Sequence, residues 1–212
     1  MATRPTHLPR LRRRKIYTDK FREEIRQDCQ RRCVYCDIHE MEAGGKESMT
    51  LDHLRPQKKY AALQRDPKNL LWACLKCNNL KGDDWPAYGL ADGATINGEA
   101  GYIDPLEVDR RDYFELMDDG SFKARKVPAA YIIYSLALNR PFLRYIRRRR
   151  DLIYESLLLL EKHFEAEIEV FSDILKDETV SDLDKGRWLQ ERKRFEAFLE
   201  LVLALDETFS LP

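Results

Sequence analysis

The stretch "TLDHLRP", residues 50–56, sets an acid and an imidazole, Asp52 and His53, at the end of a short apolar run that otherwise reads as a strand. Successive strand side chains point to opposite faces. The two can therefore serve one group only where the strand ends or bends, and Arg55-Pro56 supplies such a place. Two cysteine pairs bracket the stretch, "CVYC" at 33–36 and "CLKC" at 74–77. Each C-x-x-C lets a tight turn offer two thiolates to one tetrahedral metal, and zinc is the ion expected for the set Cys33, Cys36, Cys74 and Cys77. A redox dithiol needs only one pair, and structural disulfides are disfavoured in a reducing cytoplasm. Four thiolates close the zinc coordination sphere, so the expected role is scaffolding. Cys29 lies one helical turn before Cys33 at apolar spacing and reads as core.

The chain has 212 residues, 43% hydrophobic and 35% charged, enough apolar content for a folded core and one or two domains. Its longest apolar runs, "LLLL" at 157–160 and "LVLAL" at 201–205, fall far short of the roughly 20 residues that span a bilayer, so no membrane segment is expected. "MATRPTHLPRLRRRKIY" lacks the apolar stretch of a secretory signal, and a cytoplasmic location is expected. The zero net charge hides an uneven distribution. Residues 1–32 hold eleven Lys/Arg against four Asp/Glu, and "NRPFLRYIRRRR" at 139–150 adds six Arg. Residues 151–212 hold seven basic and sixteen acidic residues. A basic front and an acidic rear suit a protein that lays its front on a polyanion.

Residues 1–17 read as a basic arm, and Thr18 or Asp19 as the cap of a helix carrying Phe21, Ile25 and Cys29. "MTLDHL" and "NLLWAC" read as strands, and Gly82 as the end of a short helix after "CLKC". "YFELMDDGSFKAR" signals a hairpin around Asp119-Gly120. Beyond Pro128 the pattern is helical: one helix stops at "NRP", Pro141 opens a long helix through Phe164, and further helices cover 165–177 and 184–207. The organisation expected is an arm at 1–17, a zinc-bearing domain at 18–100, a linker and hairpin at 101–127 and a helical region at 128–212.

A plain zinc ribbon separates its knuckles by about 15–20 residues, whereas 37 residues lie between Cys36 and Cys74, so something is inserted. "CVYC", "DHLRP", "KNLLWAC" and "CLKCNNLKG", in this order, resemble the HNH endonuclease family over roughly residues 29–83. The resemblance implies a zinc-stabilised ββα-metal core, and with the helical pattern beyond Pro128 the expected fold is an α+β chain with a mainly α-helical C-terminal region. It makes His53 the general base, Asp52 and Asn78 ligands of a catalytic metal, and Asn69 the residue that braces the histidine loop. Asn78 stands where histidine is frequent, and its oxygen favours a hard ion, Mg²⁺ or Mn²⁺. Metal-dependent hydrolysis of DNA phosphodiesters is the implied activity, with other nucleic acids open. Arg55 and Lys81 are candidates for contacting phosphate near the scissile bond, and Arg144, Arg147 and Arg148 for contacting the backbone.

"GYIDP", "DYFELMDDGSF" and "LALNRPFLRYIRRRR" resemble the segments that follow the HNH motif in the HNH subunit of Septu anti-phage systems and its retron-associated relatives. That similarity implies a nuclease effector of bacterial defence working with an ATPase partner. The alternative is a zinc-stabilised nucleic-acid-binding or assembly subunit whose HNH site is degenerate.

Overall fold

A computed structural model describes residues 21–91 and 93–209, with side chains described as far as Val202. The basic arm expected at 1–17 and the cap at Thr18 or Asp19 lie outside the described residues. The chain divides into two compact units, one ending at Arg148 and the other running on from Arg149.

In the first unit, helix α1 (Phe21–Asp28) buries Ile25 and leads to buried Cys29. It stops as Gln30 and Arg31 take positive φ values of 53° and 57°. Helix α2 (Glu40–Ala43) follows the first cysteine pair. Strands β1 (Met49–His53) and β2 (Leu70–Cys74) pair antiparallel, from Met49 opposite Cys74 to His53 opposite Leu70. Helix α3 (Leu75–Lys81) begins where β2 ends and packs on both strands, while α1 packs on β2. All five residues of β2 are buried, as that sandwiching requires, and Asp52 and Met49 are the buried residues of β1.

Two short hairpins follow, β3 (Ile96–Asn97) with β4 (Ala100–Gly101) and β5 (Phe114–Leu116) with β6 (Phe122–Ala124). The second turns at Asp119-Gly120, as the sequence signals; Gly120 has φ +76°, and a Cβ there would collide with the backbone of Arg144. Helix α4 (Ala129–Ser135) adds Ile132, and Leu136, Leu138 and Leu143 complete a core centred on Trp72, Trp85 and Tyr102. Trp85 and Tyr102 stack with centroids 6.0 Å apart.

Helix α5 (Pro141–Lys176) crosses from the first unit into the second. A break near Phe164 is expected from the sequence, yet 36 residues form one helix. Neither Gly nor Pro interrupts it, and the apolar stripe continues through Phe171. In the second unit, α6 (Asp182–Phe209) returns after a turn capped by the Ser181 hydroxyl, which accepts from the Asp184 N–H at 3.2 Å. The two helices meet through aromatic rings: Phe164 stacks on Phe198 at 5.8 Å and Phe171 on Trp188 at 5.7 Å. No helix among the described residues is long and apolar enough to cross a membrane.

Arg26 of α1 grips Glu40 of α2 with two charge-assisted bonds, Nε to Oε2 at 2.8 Å and Nη2 to Oε1 at 2.5 Å. The Arg26 bond holds the Glu40 carboxyl below its ordinary pKa. A depressed folded-state pKa stabilises the fold above the unfolded value and is lost as pH falls through the folded one. Glu40→Gln is expected to cost about 1–3 kcal/mol at neutral pH and to flatten the acid limb of the stability profile below about pH 4.3, read by urea denaturation at several pH values.

Candidate active site and metal centre

Cys74 does two jobs at one point of the chain. It is the last residue of β2 and the cap of α3, where its sulfur accepts from the Cys77 N–H at 3.4 Å. The knuckle at Cys33 and Cys36 reaches it from the other side, and the ligand atoms of Cys33, Cys36, Cys74 and Cys77 all lie within 4.8 Å of one another. Cys36 Sγ and Cys74 Sγ are 3.8 Å apart. A Zn–S bond of about 2.3 Å with tetrahedral angles puts sulfurs about 3.8 Å apart, so the cluster is dimensioned for one zinc ion. All five cysteines are buried and none is joined in a disulfide, which counts against the disulfide alternative. Burial pushes the Cys33 thiol up, while hydrogen bonds from Cys33, Cys36 and Cys77 pull Cys74 down. Both terminal nitrogens of Arg140 lie 3.9 Å from Cys77 Sγ, setting a cation against the cluster.

Asp52 is 5% exposed, and its Oδ2 accepts from the Tyr35 hydroxyl at 2.5 Å and faces Lys81 Nζ at 3.5 Å. Both contacts fall on the same oxygen. Lys81 Nζ also donates to the His53 backbone carbonyl at 2.6 Å. One buried ammonium therefore ties the carboxylate of Asp52 to the main chain of His53, at the point where β1 ends. Burial pushes the Asp52 carboxyl up and the Lys81 ammonium down, and each restrains the other's shift.

His53 is half-buried, with Nε2 3.0 Å from the Gln64 carbonyl oxygen. A carbonyl only accepts, so Nε2 carries the proton and Nδ1 is left as the basic nitrogen of the neutral ring. The partner carbonyl belongs to the connection between the strands, and Asn69 holds that connection closed. Its Oδ1 accepts from Arg55 N at 2.9 Å, and its Nδ2 donates to Arg55 O at 3.0 Å and Leu63 O at 3.3 Å. Asn69 is 5% exposed, so its three bonds are made away from bulk water. Asn78, on α3, makes no side-chain hydrogen bond among the described residues. Asp52, His53 and Asn78 line one open cleft of about 520 Å³, with Pro56, Gln57, Gly82 and Asp83 on its walls.

The basic candidates divide. Arg55 lies over Tyr60, 5.5 Å from the ring centroid, and Arg148 is exposed. Arg144 is exposed but paired with Asp119 at 2.6 Å. Two are corrected by burial. Lys81 is 1% exposed and faces Asp52 and the His53 carbonyl, so it is an internal clamp and not a phosphate contact. Arg147 is 3% exposed, donates to the carbonyls of Gly120, Leu138 and Cys36, and lies 3.7 Å from the Phe122 centroid. It fastens the hairpin to the first knuckle. Tyr35 and Arg140 were not singled out from the sequence, although Tyr35 stands inside "CVYC", beside two ligands.

A family model described as HNH endonuclease matches residues 33–84, so an HNH endonuclease domain occupies this part of the chain. The match runs from the first knuckle through α3 and covers about a quarter of the length. No curated protein and no solved structure matches the chain.

Tyr35→Phe removes only the hydroxyl and is expected to cost about 1–3 kcal/mol in urea denaturation. Lys81→Met strands a buried carboxylate and is expected to cost more, about 3–5 kcal/mol. The purified protein is expected to carry one zinc per chain by elemental analysis, and a chelator that strips it is expected to lower Tm.

Proposed function

We propose that the protein is a metal-dependent endonuclease that hydrolyses DNA phosphodiesters, with β1, β2 and α3 serving as a ββα-metal core. The observation that carries this reading is the His53 ring, fixed through Nε2 on a main-chain carbonyl, with Nδ1 left as base in a cleft shared with Asp52 and Asn78.

The donor set is a carboxylate and an amide oxygen, which suits Mg²⁺ or Mn²⁺. Asp52, with Oδ2 engaged by Tyr35 and Lys81, and Asn78, whose amide makes no hydrogen bond among the described residues, would hold the ion. When bound it supplies polarisation of the phosphoryl oxygen and stabilisation of the departing 3′ oxygen. His53 Nδ1 takes the proton of the attacking water, the part that a neutral imidazole plays in general base catalysis. Asn69 keeps that ring in place by closing the loop whose Gln64 carbonyl holds Nε2. The product is a 5′ phosphate and a 3′ hydroxyl. The four-thiol cluster takes a structural zinc that fixes β2 and α3 against the first knuckle.

The similarity of the segments from "GYIDP" to "RYIRRRR" to Septu-type subunits supports a role as the nuclease effector of a bacterial anti-phage system, with an ATPase partner in the cytoplasm. Co-purification from the native host with an ATPase supports that role, and purification of the chain alone under the same conditions counts against it.

The primary test is plasmid cleavage by the parent and His53→Ala with Mg²⁺, Mn²⁺ or EDTA. Loss of a general base is expected to slow cleavage about 10²- to 10⁴-fold, and EDTA to abolish it. A variant that cuts as fast as the parent removes His53 from the role of base.

A further inference from the structure

We infer that the connection between β1 and β2, with the aromatic rings packed on it, is a stacking ledge for unpaired nucleotides beside the cleft; this rests on the proposed reading of that cleft. The connection, residues 54–69, carries Arg55, Lys58, Lys59, Arg65 and Lys68 against a single acid, Asp66. Lys58, Arg65 and Lys68 are exposed. Such a loop attracts a polyanion whatever its sequence.

The aromatic part of the ledge grows directly from the cleft wall. Pro56 and Gln57 line the cleft. The Pro56 carbonyl accepts from both Lys59 N and Tyr60 N at 2.9 Å, so those residues follow the wall by a single turn. Tyr60 meets Tyr88 edge to face, with centroids 5.8 Å apart. Tyr88 is 57% exposed and has Lys59 Nζ 5.5 Å from its centroid. Arg55 lies between Tyr60 and Trp85, 5.5 and 6.0 Å from their centroids. Lys58, in the same turn, makes an exposed pair at 2.5 Å with Asp83 of the cleft wall, an interaction weak enough for a phosphate to replace.

An exposed ring beside a cation, as Tyr88 is, does little for a duplex, whose bases are already stacked inside and which offers chiefly its phosphates. It suits a strand with a free base, because every base has a π-face and each stack adds about 1–3 kcal/mol. The ledge therefore selects unpaired nucleotides next to the scissile phosphate, in a single strand, a gap or a flipped-out position.

The test is fluorescence anisotropy of the full chain carrying His53→Ala, titrated onto labelled single-stranded DNA, single-stranded RNA and duplex DNA of one sequence. The unpaired strands are expected to bind more tightly than the duplex, and the DNA and RNA arms identify the source. Tyr88→Ala, at an exposed position, is expected to weaken unpaired strands about 5- to 100-fold while leaving the duplex and Tm unchanged, and Tyr88→Trp to restore binding. Duplex preference, or unchanged affinity in Tyr88→Ala, overturns the ledge. If the parent cuts plasmid in a His53-dependent way but Tyr88→Ala binds normally, the ledge alone fails. Tyr88-dependent binding without cleavage by the parent of either plasmid or the single strands leaves the ledge and removes the nuclease.

Discussion

The thiols of Cys33, Cys36, Cys74 and Cys77 converge within 4.8 Å, and that convergence leaves the chain between them little freedom. Cys74 ends β2 and caps α3, so its position sets where the strand stops and the helix starts. It also sits opposite Met49, and from that pair the register counts down to Asp52 opposite Leu71 and His53 opposite Leu70. A cluster outside the lining of the cleft thus decides where the acid and the imidazole stand.

On that frame a second, smaller constraint acts. Lys81, the last residue of α3, reaches back to both Asp52 and the carbonyl of His53. Tyr35 reaches Asp52 from the first knuckle. The carboxylate is therefore gripped from both ends of the cysteine set, whereas His53 is held by the connection that Asn69 closes. Rigid groups hold the acid, and a braced loop holds the imidazole.

The residues of the cleft were legible because their chemistry is local. Two C-x-x-C pairs, an Asp-His dipeptide and two asparagines in order need no knowledge of packing to be noticed. The basic residues were not, because charge in a sequence does not say whether a side chain faces water. Arg147 sits in a run of four arginines that reads as a polyanion-facing patch, yet it is buried on Phe122 and three carbonyls, while its neighbour Arg148 is exposed. Lys81 reads as a phosphate contact beside a turn glycine, but helix geometry turns it inward. A helix boundary after Phe164 is likewise expected and not found: neither Gly nor Pro interrupts the chain there, and Phe164 and Phe171 both pack on α6.

The antiparallel register has a consequence for which lengths the domain tolerates. Side chains alternate with a period of two, so one residue gained or lost within β1 would turn Asp52 outward and His53 inward, or tear Met49 from Cys74. The connection obeys a different rule. Asn69 pins it at Arg55 and at Leu63, and between those points a longer chain adds only about 0.6 kcal/mol of closure entropy per doubling. The strands are thus closed to insertion and deletion, while the stretch between Pro56 and Leu63 can take up added length at little entropic cost.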